Sequence, residues 1–175
     1  SGVASMAWTL DPLGRFDTHT HTPVSGVSVT KQNHYADDGD SPTWVHENTS
    51  DPDAITRYVD GPDGQLALST GKSGGRILNL VDLHGDVMGT LPLADGANGA
   101  ADIGKLAFQA TDEFGVQLDL NTGGVATTAG PRYGYLGGAQ RSAETLGGVI
   151  LMGVRVYQAG VGRFTSIDPE PGGNA

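Results

Sequence analysis

The chain has 175 residues, 20 acidic against 10 basic side chains for a net charge of −10, 28 glycines and no cysteine. The acidic balance and the scatter of the basic residues exclude a nucleic-acid partner, which needs clustered Lys and Arg. The missing cysteines exclude disulfides and thiolate metal sites. Glycine well above its usual share of about 7%, with charged residues at only 17%, points to short strands and many tight turns rather than long solvated helices.

In chain order, Ser1–Gly14 lacks a basic stretch followed by an apolar one, so no signal peptide is read there. Asp11–Thr20 (DPLGRFDTHT) opens a recurring unit, a turn closing on glycine and then a strand-like run. Ser25–Thr30 alternates with period two, as a half-buried strand does. The unit returns over His34–Val45, Asp60–Thr70, Asp82–Leu93, Thr111–Leu120 and Gln158–Ile167. Its closing glycines are Gly14, Gly39, Gly64, Gly85, Gly115 and Gly162. The first five are spaced by 25, 25, 21 and 30 residues, an imperfect repeat of hairpin size. In such a turn an early carboxylate accepts backbone N–H bonds and a late glycine takes positive φ, roles that fall to Asp11, Asp60 and Asp112 and to Gly14, Gly64 and Gly115. Gln65–Ser69 alternates, and Gly148–Tyr157 is almost continuously apolar, as in a strand covered on both faces. The best helical candidate is Ala100–Ala110, weakened by Gly104. Segments 36–42, 47–54 and 94–101 read as loops. No apolar run reaches the length of a membrane-spanning helix, and no break in composition demands a second domain.

Several motifs invite chemistry. Ser69–Arg76 has the look of a phosphate-binding loop, but the first glycine of that pattern falls on Leu66 and a strand follows, so a hairpin turn is favoured. His19 and His21 share a strand face, and His34, His46 and His84 are further metal-ligand candidates. A polar strand face is the better reading, and no metal or cofactor is expected. Asp37, Asp38 and Asp40 around Gly39 lack the full calcium-loop pattern and read as a solvated turn. Asn48-Thr-Ser50 is a formal glycosylation sequon that marks an exposed loop. Trp8, Trp44, Tyr35 and Tyr58 are either a sugar-binding face or, the favoured reading, packing residues.

The tail carries three ordered motifs: Tyr133–Arg141 (YGYLGGAQR), Ile150–Tyr157 (ILMGVRVY) and Gly162–Pro169 (GRFTSIDP). They resemble the Y-G-W-L-G-x-x-Q-R, L-M-G-x-R-x-Y and G-R-F-x-S-x-D-P stretches of the core segment of RHS/YD-repeat proteins. Asn33–Pro42 and Asn79–Val87 are also similar to bacterial members, so the likeness runs from about Trp8 to the end. It implies an all-β fold of sequential antiparallel strands and hairpins, part of a spiralling YD-repeat sheet that forms a hollow shell. Residues 1–131 would be YD-like hairpins and 132–175 the core motif of the same continuous sheet.

The function implied is structural: a secreted or surface-delivered bacterial shell segment that encloses or presents a variable C-terminal toxin. The partners implied are the rest of the shell or that toxin, with self-association through strand edges as a further expectation. In several family members the core is an aspartyl autoprotease, and by motif position Arg155 and Asp168 match two residues tied to that cleavage. The second aspartate belongs to a downstream D-P-x-G-L motif absent before Ala175, and the family's Tyr-Asp-Pro is here Tyr157-Gln158-Ala159. Asp168-Pro169 also reads as a plain turn starter, and Arg155 as a strand pin. Autoproteolysis and glycan adhesion are therefore the alternatives to the structural role.

Overall fold

A computed structural model of the chain describes residues 2–72, 74–94, 103–127 and 130–167. Nine strands form one antiparallel sheet in unbroken chain order. They are β1 (Ser5–Leu10), β2 (Phe16–Thr22), β3 (Val29–His34), β4 (Trp44–His46), β5 (Ile55–Asp60), β6 (Leu66–Gly71), β7 (Arg76–Val81), β8 (Val87–Leu93) and β9 (Ala107–Phe108). A two-stranded sheet follows, β10 (Ala110–Thr111) with β11 (Gln117–Leu118), and then a three-stranded one, β12 (Val149–Met152), β13 (Arg155–Gln158) and β14 (Arg163–Phe164). Among the described residues the helical pieces are 3-10 turns of three residues each. The chain is all-β and antiparallel, as its glycine-punctuated runs predict.

One turn recurs along the chain. The residue at its start donates to the carbonyl four positions on, from Asp11 to Arg15, Gly61 to Gln65, Asp82 to Asp86 and Asp112 to Val116. The glycine three positions after the start takes positive φ, at Gly14, Gly64, Gly85 and Gly115. The Asp11, Asp82 and Asp112 carboxylates each accept two backbone N–H bonds inside the turn. Asp60 does not play this part: Gly61 opens its turn, and Asp63 supplies the carboxylate to the Gln65 N–H. Gly39 is no member of the set either, since it lies outside the positive-φ glycines. The phosphate-loop look-alike is a hairpin turn closed by the Gly71 N–H on the Gly75 carbonyl.

Three of these turns are followed by the same register shift. Thr9 pairs with Thr18 but Leu10 with Phe16, Val59 with Leu68 but Asp60 with Leu66, and Leu80 with Gly89 but Val81 with Val87. Each shift is a β-bulge, and one extra residue moves the preceding side chain to the other face of the sheet. Phe16, Leu66 and Val87 thereby turn inward and are 5%, 0% and 2% exposed. Simple alternation over Gln65–Ser69 places Leu66 and Leu68 on one face; the bulge separates them. Leu66 and Val87 join Val45, Tyr58 and Tyr133 in the main apolar cluster.

Other expectations change at glycines. Gly148–Tyr157 is not one strand but the hairpin β12–β13, reversed at Gly153 with φ +60°. The period-two run at Ser25–Thr30 becomes a strand only at Val29, because the chain bends through Gly26 with φ +112°. In the helical candidate, Ile103–Lys105 is a 3-10 turn and the chain then extends into β9 and β10, while part of the segment lies outside the described residues. Segments 36–42 and 47–54 are loops as expected, and most of 94–101 is not described.

Candidate functional site

The element that stands out is a seam. Residues 130–144 return from the end of the sheet and lie across one face of it. Directly opposed strand residues share a face, so the pairs Trp8–His19, His19–Lys31, Asn33–Val45 and Val45–Thr56 define that face, and Glu47 and Tyr58 belong to it by alternation.

Arg132 is the anchor. Its guanidinium donates to both Glu47 oxygens at 2.7 and 2.5 Å, to Glu144 Oε2 at 2.7 Å and to the Tyr58 hydroxyl at 2.5 Å. Lys31 closes the ring with Glu47 at 3.1 Å and Glu144 at 2.7 Å. The planar fork of arginine suits this two-pronged carboxylate contact in a way that lysine cannot. The Arg132 side chain is 19% exposed, so the cluster is largely withdrawn from water. Burial pushes the Glu47 carboxyl up, but the Arg132 hydrogen bonds and charge, with Lys31, outweigh it and hold the group at about 2. Glu144 is lowered in the same way, against its own burial. Arg132 stays charged because the Glu47 and Glu144 contacts overcome its desolvation. Burial raises the Tyr58 and Tyr133 phenols, whose rings meet edge to face with centroids 5.5 Å apart.

The glycines after Arg132 let the segment lie close to the sheet. The Gly134 carbonyl accepts from the Val87 N–H, and the Gly138 N–H donates to the Gly85 carbonyl at 2.8 Å. The Leu136 N–H donates to Asp86 Oδ1 at 2.7 Å. A Cβ on Gly138 would come within 2.9 Å of Val81 Cγ1 and 3.0 Å of the Gly85 carbonyl oxygen, so only glycine fits without displacement. Leu136 and Gln140 take left-handed conformations with φ of 50° and 56°, costly for such residues and sustained by the fixed contacts on either side. Arg141 pairs with Asp40 at 2.9 Å, and Ser41 donates to the Ala139 carbonyl.

The space left around Arg132 is small. Phe16, His19, Tyr35, Arg132, Gln140 and Glu144 help to line a cavity of about 40 Å³. That is room for a water or two, not for a substrate. The arrangement holds two parts of the chain together; Gly130, Gly134, Tyr135 and Ala143 of the same segment help to line a separate, open cavity of about 440 Å³.

The residues singled out from sequence are dispersed. Arg155 lies in β13 with its guanidinium over the Phe164 ring of β14, 3.7 Å from the centroid. Asp168 lies outside the described residues. The histidines do not converge: His19 and His21 share the seam face, His34 and His46 the opposite one, and His84 sits in a turn beside Asp86. Among the described residues no three metal-ligating side chains gather. The Asp37–Asp40 loop is filled by a side chain, since Arg15 Nη1 donates to the Asp37 and Gly39 carbonyls at 2.7 and 2.8 Å. Asn48 accepts from the Ser50 N–H in a local turn whose Thr49 and Ser50 are exposed.

The four aromatics form no common platform. Trp44 stacks on His34 on one face, Tyr58 is buried on the other, Trp8 meets Phe16 edge-on, and the Tyr35 hydroxyl donates to the Phe16 carbonyl. Sequence reasoning passed over Arg132, Lys31, Glu47 and Glu144. The available signal was the position of Arg132 at the head of the YGYLGG motif, but its partners lie 85 and 12 residues away.

No family model matches the chain, and no characterised protein matches it. Among the described residues no helix is long and apolar enough to cross a membrane.

Proposed function

We propose that this chain is a wall segment of an RHS/YD-repeat shell, with no turnover of its own, that encloses or presents a toxin following it in the gene product. The observation that carries the reading is how the YGYLGGAQR motif is spent. Tyr133, Gly134, Leu136, Gly138 and the preceding Arg132 are each committed to binding residues 130–144 onto the sheet. The in-order meander and its recurring turn supply a wall that lengthens by adding hairpins. Bacterial origin and secretion or surface delivery belong to the same proposal, as do the partners: the remaining shell and the enclosed toxin.

The test is limited proteolysis of the natural full-length product. The region after residue 175 should resist protease while the strands stay folded, and become digestible when Arg132→Ala loosens the seam. Intact-mass measurement of the purified chain should show no self-cleavage. A downstream region digested as fast as the same region free in solution would overturn the proposal, and so would a product that ends at residue 175.

A further inference from the structure

At the centre of the seam lies a titratable group that the anchoring cluster leaves out. His19 projects from β2 beneath residues 130–144, and its Nε2 is buried without a protein hydrogen-bond partner. The Gln140 Oε1 atom, from the opposite side of the same cavity, is also buried and unpartnered. The charged groups around them already balance. From the sheet come Lys31 and Glu47; from the returning segment come Arg132 and Glu144; Arg141 and Asp40 form a further pair. The other titratable groups on β2 are His21, on the same face, and Asp17, which accepts from Gln32 Nε2, while Trp8 and Met6 from β1 and Tyr35, Tyr58 and Tyr133 complete the surroundings. Three cations thus meet three anions, and both glutamates are engaged by Lys31 and Arg132.

We propose that the seam is a proton-operated latch, in which protonation of His19 loosens residues 130–144 from the sheet while the hairpins beneath stay folded. A proton on His19 adds a fourth positive charge to a balanced set, in a cavity that holds too little water to solvate it. The Glu144 charge favours the imidazolium, but burial and the Lys31, His21 and Arg132 charges act against it, and the group is lowered from its ordinary value. The sign follows. With the folded value below the unfolded one, the docked state is fully favoured above about 6.5 and loses ground as the pH falls below it. The inference concerns the seam alone and does not depend on the shell reading.

Hydrogen–deuterium exchange on the full chain between pH 7.5 and pH 5 tests it, after correction for the intrinsic pH dependence of exchange. The Val87, Leu136 and Gly138 amides, bonded across the seam, should open up to about tenfold more per pH unit below 6.5, while the amides of β5 and β6 hold. His19→Gln should abolish this response, and His34→Gln, on the opposite face, should leave it intact. Protection across the seam that does not change with pH, or that changes equally in His19→Gln, overturns the latch. Should His19→Gln fail to fold, ¹⁵N NMR titration of the unsubstituted chain decides. A His19 midpoint below 6.5, moving together with the signals of residues 130–144, supports the latch. A midpoint at or above 6.5, or one that leaves those signals still, overturns it.

Discussion

The nine-stranded sheet and the segment that returns across it are held by opposite means. In the sheet every strand pairs with its neighbours in sequence, and the β1–β2, β5–β6 and β7–β8 reversals are each stabilised within a few residues by an aspartate carboxylate and a glycine. In the returning segment the decisive bonds span 85 residues, from Arg132 to Glu47, and 113, from Lys31 to Glu144. The first arrangement is modular: one hairpin can be added or lost without redesigning the next. The second is an address, because Arg132, Gly138 and Leu136 each meet a particular group on a particular turn. A repetitive wall needs such a device if one segment is to settle at one place along it.

The sharpest way to break this contrast is to remove the anchor. Arg132→Ala leaves two carboxylates facing a half-buried hole, and the loss should be about 3–5 kcal/mol in urea unfolding. A change below about 1 kcal/mol would mean that the cluster behaves like an exposed ion pair. Acid attacks the same cluster from the other side. Glu47 is held at about 2 against an ordinary 4.5, so its contribution is complete above 4.5 and drains away as the pH falls from 4.5 toward 2. Stability curves of the unsubstituted chain should steepen across that window, and Glu47→Gln should flatten them.

Leu66→Ala tests the sheet's own core. The side chain is fully buried, and deletion should cost about 3 kcal/mol, seen as a lower thermal midpoint. Were the two regions stabilised separately, this loss and that of Arg132→Ala would add in full; because Leu66 and Tyr133 share a cluster, they should add only in part. Gly138→Ala forces a methyl against Val81 and the Gly85 carbonyl and should cost about 1–3 kcal/mol. Its signature is faster exchange of the Leu136 amide with the β5–β6 amides unchanged. Smallest is Asp112→Ala, which removes two backbone contacts from one local turn for about 1 kcal/mol. A larger effect there would show that the turns are not the independent modules their repetition suggests.

Much of the sheet was legible in advance. The turns at Gly14, Gly64, Gly85 and Gly115 were read from glycine placement, since positive φ is a local demand that a sequence states openly. Two of the three named turn aspartates, Asp11 and Asp112, serve as read, and Asp82 does the same work where Asp60 does not. The bulges were not legible. Nothing in Phe16-Asp17-Thr18 or Leu66-Ala67-Leu68 announces an extra residue, and simple alternation assigns Leu66 and Leu68 to one face. The hairpin inside Gly148–Tyr157 was hidden for a similar reason: a buried apolar run looks the same whether it is one strand or two, and Gly153 was the only mark of the reversal.

Composition and short-range pattern alone pointed to short strands reversed at glycines, because backbone sterics and local hydrogen bonds act over a handful of residues. Only the tertiary structure decided which faces are covered and which charges meet. Arg132 finds Glu47, Tyr58 and Glu144 because folding brings distant strands and the returning segment together. No local rule encodes that meeting: the stability of a withdrawn charge depends on partners whose positions are fixed by everything between them.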